Sequence, residues 1–161
     1  MLVVSAFDCY IHDVVLRGMV EMFQGNKITN SKYEEFCMPI SAVTELLRAK
    51  DEREKTLIFN YSVKKILSKD SYQAPTSVEY ALGLISIKSV WSQIGKYMNM
   101  SAEDVKRELS LIVFRRNKIA HESDIQDIVS MDKSPIERSD LDEVFTFLNS
   151  VVNFLEVIRL S

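Results

Sequence analysis

The stretch VFRRNKIAHE, residues 113–122, brings together Arg116, Asn117 and His121, the last being one of only two histidines in the chain. Histidine titrates near neutrality and can take or give a proton during a reaction. A held guanidinium can stabilise the charge that develops on a phosphate oxygen in a transition state. At about 100° per residue, Val105, Leu109 and Ile112 form one helical stripe, and the next step of four lands on Arg116. Asn117 and His121 are four apart and share a face, about 100° and 140° round from Arg116. The arginine's reach could bring its head beside His121, above all if the helix frays there. A second reading needs no reaction: Arg116 snorkels to water or pairs with a carboxylate at the core's edge. His121 is then a C-terminal residue favoured by the helix dipole. Arginine is seldom buried without a partner, so its place on an apolar stripe calls for an explanation either way.

The elements that must hold this set are helices. A first helix is expected from Leu2 to Phe23, with Phe7, Tyr10, Ile11, Val14 and Val15 at helical spacing and QGNKITNS ending it. KYEEF reads as a short turn, and Pro39 is placed to open a helix reaching Ala49. DERE at Asp51–Glu54 resembles a capping box for a helix to Ser68 carrying Ile58, Tyr61 and Ile66. After the loop SKDSYQAPTS, periodicity runs from Ser77 to Met98 through Ala81, Ile85, Trp91 and Ile94. SAED at Ser101–Asp104 has the form of an N-cap for the motif helix. ESDIQDIVSMDKSP reads mostly as loop. SDLD at Ser139–Asp142 is expected to cap a last helix carrying Leu141, Val144, Leu148, Val151, Val152, Leu155 and Ile158. The fold class is therefore all-α, a helical bundle of four longer helices with shorter ones inserted.

Composition agrees. With 47% apolar and 27% charged residues over 161 positions, a single domain with a proper core is expected. Four glycines and three prolines are too few for a turn-rich β fold. The apolar pattern begins at residue 2 with no capping residue before it, which suggests a module cut from a longer protein. The start lacks a basic leader and is interrupted by Asp8, His12 and Asp13, unlike a signal peptide. No apolar run approaches the roughly 18 residues that span a membrane. Cys9 and Cys37 have no metal-ligand spacing, so a reduced, cytoplasmic chain with buried thiols is the simplest expectation. The net charge of −3 argues against a broad basic surface tracking long nucleic acid. Its distribution is uneven. Seven Lys and Arg oppose three acids from Ser86 to His121, whereas two oppose eight from Glu122 to Glu143.

RRNKIAHE resembles the R-x4-6-H signature of HEPN domains, small all-helical domains shared by many prokaryotic toxins and defence proteins. SAFDCYIHDVV, VWSQIGKYM and RRNKIAHESD are similar above all to the RiboL-PSP group of that family. The resemblance implies a single HEPN-like domain acting as a metal-independent endoribonuclease, with no cofactor. Two domains pair as a homodimer with both motifs facing one cleft. The RNA 2′-hydroxyl attacks the adjacent phosphate, which restricts the substrate to RNA. The implied catalytic residues are His121 as general acid or base, Arg116 as stabiliser of the phosphorane charge and Asn117 as the group that orients His121 or the phosphate. Arg115 and Lys118 are near enough to attract an RNA backbone, though they also read as solvated helix charges. Glu122 reads equally as a polar site residue or an exposed acid. A regulatory domain or antitoxin partner is a further implication.

Other candidates are weaker. His12 and Asp13 are adjacent and so do not share a helical face, leaving His12 as a surface residue. No H-x-x-x-H, C-x-x-C or H-E-x-x-H occurs, and no glycine-rich phosphate loop forms from Gly18, Gly25, Gly83 and Gly95. Trp91, Tyr97 and Tyr80 could stack bases, but aromatic residues at helical spacing are more often core. The competing functional class is a non-catalytic HEPN-like module that binds a nucleotide or partner and uses its dimer face for assembly alone. A purely structural helical domain, its motif match accidental, also stays open.

Overall fold

The computed structural model of the chain describes residues 2–122 and 138–160, with the side chains of 121, 122, 138, 139, 159 and 160 outside what it describes. The described elements are all α-helices: α1 (Leu2–Phe23), α2 (Ser31–Glu34), α3 (Ile40–Arg48), α4 (Glu52–Leu67), α5 (Pro75–Leu84), α6 (Val90–Met98), α7 (Ala102–Glu122) and α8 (Arg138–Leu160). Long α1, α4, α7 and α8 with shorter helices among them match the all-α bundle expected from periodicity. None of the described helices is long and apolar enough to cross a membrane. Asp8–Val90 forms one compact unit, and Met1–Phe7 with Trp91–Ser161 forms another.

In the Asp8–Val90 unit the core comes from Ile11, Val15 and Met19 of α1, Phe59, Val63 and Leu67 of α4, and Val78, Ala81 and Leu82 of α5. α1 stops where glycine allows it: Gly25 has φ +74°, and the Asn26 and Gly25 N–H groups donate to Glu21 and Met22 carbonyls. On α4 the Asp51 carboxylate accepts from Glu54 N–H at 2.8 Å, the expected cap. Its buried stripe is Phe59, Val63 and Leu67, with Phe23 stacked on Phe59 at 4.2 Å. Tyr61, expected inward, stands about 200° from Phe59 and is exposed. KYEEF is more than a turn, since part of it lies in the single helical turn of α2.

The single helix expected from Ser77 to Met98 is two. Ser86 takes φ +69° and Ser89 +49°, left-handed values that end one helix before the next begins. Asn30 explains how α5 can stop on a serine. Its side-chain nitrogen lies 3.2 Å from Gly83 O, 3.1 Å from Leu84 O and 2.8 Å from Ser86 Oγ. Its side-chain oxygen accepts from Tyr33 N–H at 3.1 Å and caps α2. No periodicity in residues 77–98 signals a partner more than 50 residues upstream.

In the second unit, Asn99 (φ +56°) ends α6, with Met100 N–H donating to Gly95 O at 2.8 Å. A Cβ on Gly95 would come within 2.6 Å of the Met100 carbonyl oxygen, so the tight passage into α7 requires glycine. Ser101 then accepts from Asp104 N–H at 3.0 Å, the predicted start of α7. Val105, Leu109 and Ile112 of α7 are buried, as are Phe147, Leu148, Val151, Phe154 and Leu155 of α8. Ser139 does not precede α8 as a cap, because Arg138 is already helical. Leu141, expected inside, is exposed, and the buried run begins only at Phe147. The expected loop at 122–135 lies outside the described residues, apart from Glu122 at the end of α7. Both thiols are exposed rather than buried. Cys9 precedes fully buried Ile11 by two residues, which puts it on the far side of α1.

Candidate functional site

α7 is a 21-residue helix whose apolar stripe continues onto Arg116. Its i, i+4, i+7 spacing of Val105, Leu109 and Ile112 anchors the helix, so the motif inherits a fixed phase from the packing beneath it. Arg116 is half-buried, the compromise open to a long cation whose stem leaves the core and whose head must find a partner. That partner is Asn117: Arg116 Nη1 donates to Asn117 Oδ1 at 2.8 Å. The carboxamide oxygen is thus engaged, leaving its NH2 as the donor for another group.

His121 and Glu122 lie in the final turn of α7, and their side chains fall outside the described residues. The helix continues through both positions, so helical phase still governs the backbone there. Arg115 points elsewhere, its Nη2 donating to Asp140 Oδ2 of α8 at 2.9 Å. At 62% exposed, its side chain holds this bond in water. Lys118 is exposed on the same helix. Two further exposed residues escaped the motif reading: Leu111 at 49% and Phe114 at 65% put apolar surface on the solvent side of α7. Phe114 stands about 160° from Arg116, and the signal for it was already present in the phase.

The aromatic candidates separate. Trp91 is buried in the core. Tyr97 is half-exposed with its ring 5.3 Å from Phe154, and Tyr80 is half-exposed with Lys32 Nζ 5.6 Å above its ring.

Comparison with known proteins finds no matching family model, no similar curated protein and no similar solved structure.

A second polar group, in the Asp8–Val90 unit, was not anticipated. His12 is not the open surface residue expected. Its partner is Asp8, one turn back, with Nε2 3.9 Å from Asp8 Oδ1, and its ring lies 4.4 Å from that of Tyr72. Asp8 Oδ1 also accepts from the Tyr72 N–H at 2.6 Å, and Gln73 Nε2 lies 3.4 Å from Asp8 Oδ2. The sequence signal was the i, i+4 pair Asp8 and His12, overlooked because Asp13 stands next to His12. Tyr72 is 1% exposed, and its hydroxyl has no hydrogen-bond partner among the described residues. Burial first, then the Asp70, Tyr80 and Asp8 groups around it, push the phenol pKa up.

Proposed function

We propose that the chain is a metal-independent endoribonuclease whose site is built on α7 by Arg116, Asn117 and His121 and completed across a homodimer. One observation carries this reading. A half-buried guanidinium stands on a packing stripe, hydrogen-bonded to the carboxamide beside it, where a solubilising charge would project into water. Arg116 stabilises the phosphorane charge, and Asn117 holds the guanidinium while offering its NH2 to phosphate or imidazole. His121 takes the proton from the 2′-hydroxyl as that oxygen attacks phosphorus. The partner's His121 returns a proton to the departing 5′-oxygen, leaving a 2′,3′-cyclic phosphate and a free 5′-hydroxyl. Arg115 and Lys118 draw in the RNA backbone, and Glu122 is a further polar neighbour of the set. This activity suits a cytoplasmic toxin or antiviral effector held in check by an antitoxin or regulatory domain.

The exposed Leu111 and Phe114 favour a second reading, in which α7 is an assembly face of a non-catalytic nucleotide- or partner-binding module. Cleavage of mixed RNA in EDTA separates the two. The parent chain should leave cyclic-phosphate ends, and His121→Ala or Arg116→Ala should lower the rate by about 100-fold or more. Cleavage that needs added metal, or that survives both substitutions, would sink the catalytic reading. Protein that assembles but does not cleave would favour the second.

A further inference from the structure

The Asp8–Val90 unit carries a cleft of about 330 Å³ that the ribonuclease reading does not use. Phe36, Ile66 and Leu67 supply apolar wall, and Glu35 and Asp70 place two carboxylates on it against the single ammonium of Lys32. The volume is that of a small-molecule site. Its charge balance disfavours a phosphate or carboxylate ligand, which would face two like charges.

Tyr72 also lines this cleft. A buried hydroxyl with no partner is rare, because its desolvation goes uncompensated. Slack packing does not account for it here. The tyrosine backbone is fixed by Asp8 at 2.6 Å, and the ring is backed by His12 at 4.4 Å. The phenol is held neutral by burial and by the acids around it, so its oxygen can accept a hydrogen bond in a negative potential. A nitrogen bearing protons and positive charge answers both needs.

The chain already holds such a group at this cleft. Lys32 Nζ, an ammonium on an alkyl chain, lies 5.6 Å over the Tyr80 ring, and both residues line the cleft. Lys32 is exposed and long, so its ammonium can swing aside at small cost.

We propose that this cleft binds a small organic ammonium ion with an apolar body, its nitrogen held by Glu35, Asp70 and the Tyr72 hydroxyl and its body against Phe36 and Leu67. Binding displaces the Lys32 ammonium from the cleft mouth.

The test uses the full chain, with 2-phenylethylamine as probe and 3-phenylpropionate as an anion of similar shape, followed by calorimetry and amide chemical shifts. The amine should bind saturably below about 10 mM, with shifts centred on residues lining the cleft, and the acid should not. Asp70→Asn and Tyr72→Phe should each weaken the amine by about threefold to tenfold, since each loses one hydrogen-bonding or ionic partner. Tyr72→Phe removes a hydroxyl that bonds to nothing described, so its melting temperature should hold, which separates lost binding from lost folding. Lys32→Met should tighten the amine by about threefold by removing a competing charge. The His121→Ala chain should bind the amine like the parent, whatever the outcome with RNA. Absence of saturable binding, equal binding of the acid, or weaker amine binding by Lys32→Met would each overturn the proposal.

Discussion

Arg116 and Tyr72 are both polar groups placed where packing would prefer carbon, and each has a different remedy. Arg116 keeps its head at the edge of burial and spends one N–H on Asn117. Tyr72 is fully inside, so its hydroxyl must stay protonated to be tolerated at all. That sets a pH dependence. The folded Tyr72 pKa is raised above its unfolded value near 10, so its contribution to stability is fully present below that pH. Above it, the unfolded state gives up a proton that the folded state retains, and stability falls as pH rises. Tyr33, whose pKa burial also raises, adds to the same alkaline loss. Melting temperatures followed from about pH 8 to pH 11 should fall, and Tyr72→Phe should flatten part of the fall. A Tyr72→Phe chain that declines as steeply as its parent would show that this phenol plays no part. In the sequence, Arg116 could be singled out because a helical stripe has a predictable next position. Tyr72 could not, because its partners Asp8 and His12 come from α1, about 60 positions upstream.

At the scale of helices, ends decided more than interiors did. α1, α4 and α7 begin or end on residues that carry their own signals: Gly25 for the left-handed turn, Asp51 and Ser101 for the free N–H groups. The end of α5 has no such local signal. Ser86 adopts a left-handed backbone because Asn30 reaches it across the unit, while the same carboxamide starts α2. Asn30→Ala removes both caps together. It should lower unfolding free energy by about 1–3 kcal/mol in urea titrations, more than a single lost cap is worth. A loss below about 0.5 kcal/mol would mean that neither helix end depends on the amide. The exposure of Tyr61 has the same root. Periodicity gives the relative phase of side chains on α4, but the face turned inward was chosen by Phe59 meeting Phe23.

For the whole molecule, the proposed ribonuclease reading sets the net charge of −3 against the local excess of Lys and Arg between Ser86 and His121. Attraction is confined to a short stretch, so few phosphates should be neutralised. With Arg115, Arg116 and Lys118 engaged, the log–log salt slope of single-stranded RNA binding should be roughly −2, at about 0.7 per phosphate. Arg115→Ala should reduce its magnitude by about 0.7, measured by fluorescence titration over a range of salt. An unchanged slope would place Arg115 outside the RNA path, held by Asp140 alone. By itself the sequence determined the all-α class, most helix limits and the register of α7, because hydrogen bonding and apolar spacing along a helix are local matters. It also determined that Arg116 would fall on the packing stripe. Only the tertiary structure decided that Arg116 turns to Asn117, that Asn30 divides residues 75–98 into two helices, and that Asp8, His12 and Tyr72 meet. Those outcomes depend on which groups the folded chain brings within about 3–4 Å, a distance that spacing along the sequence does not encode.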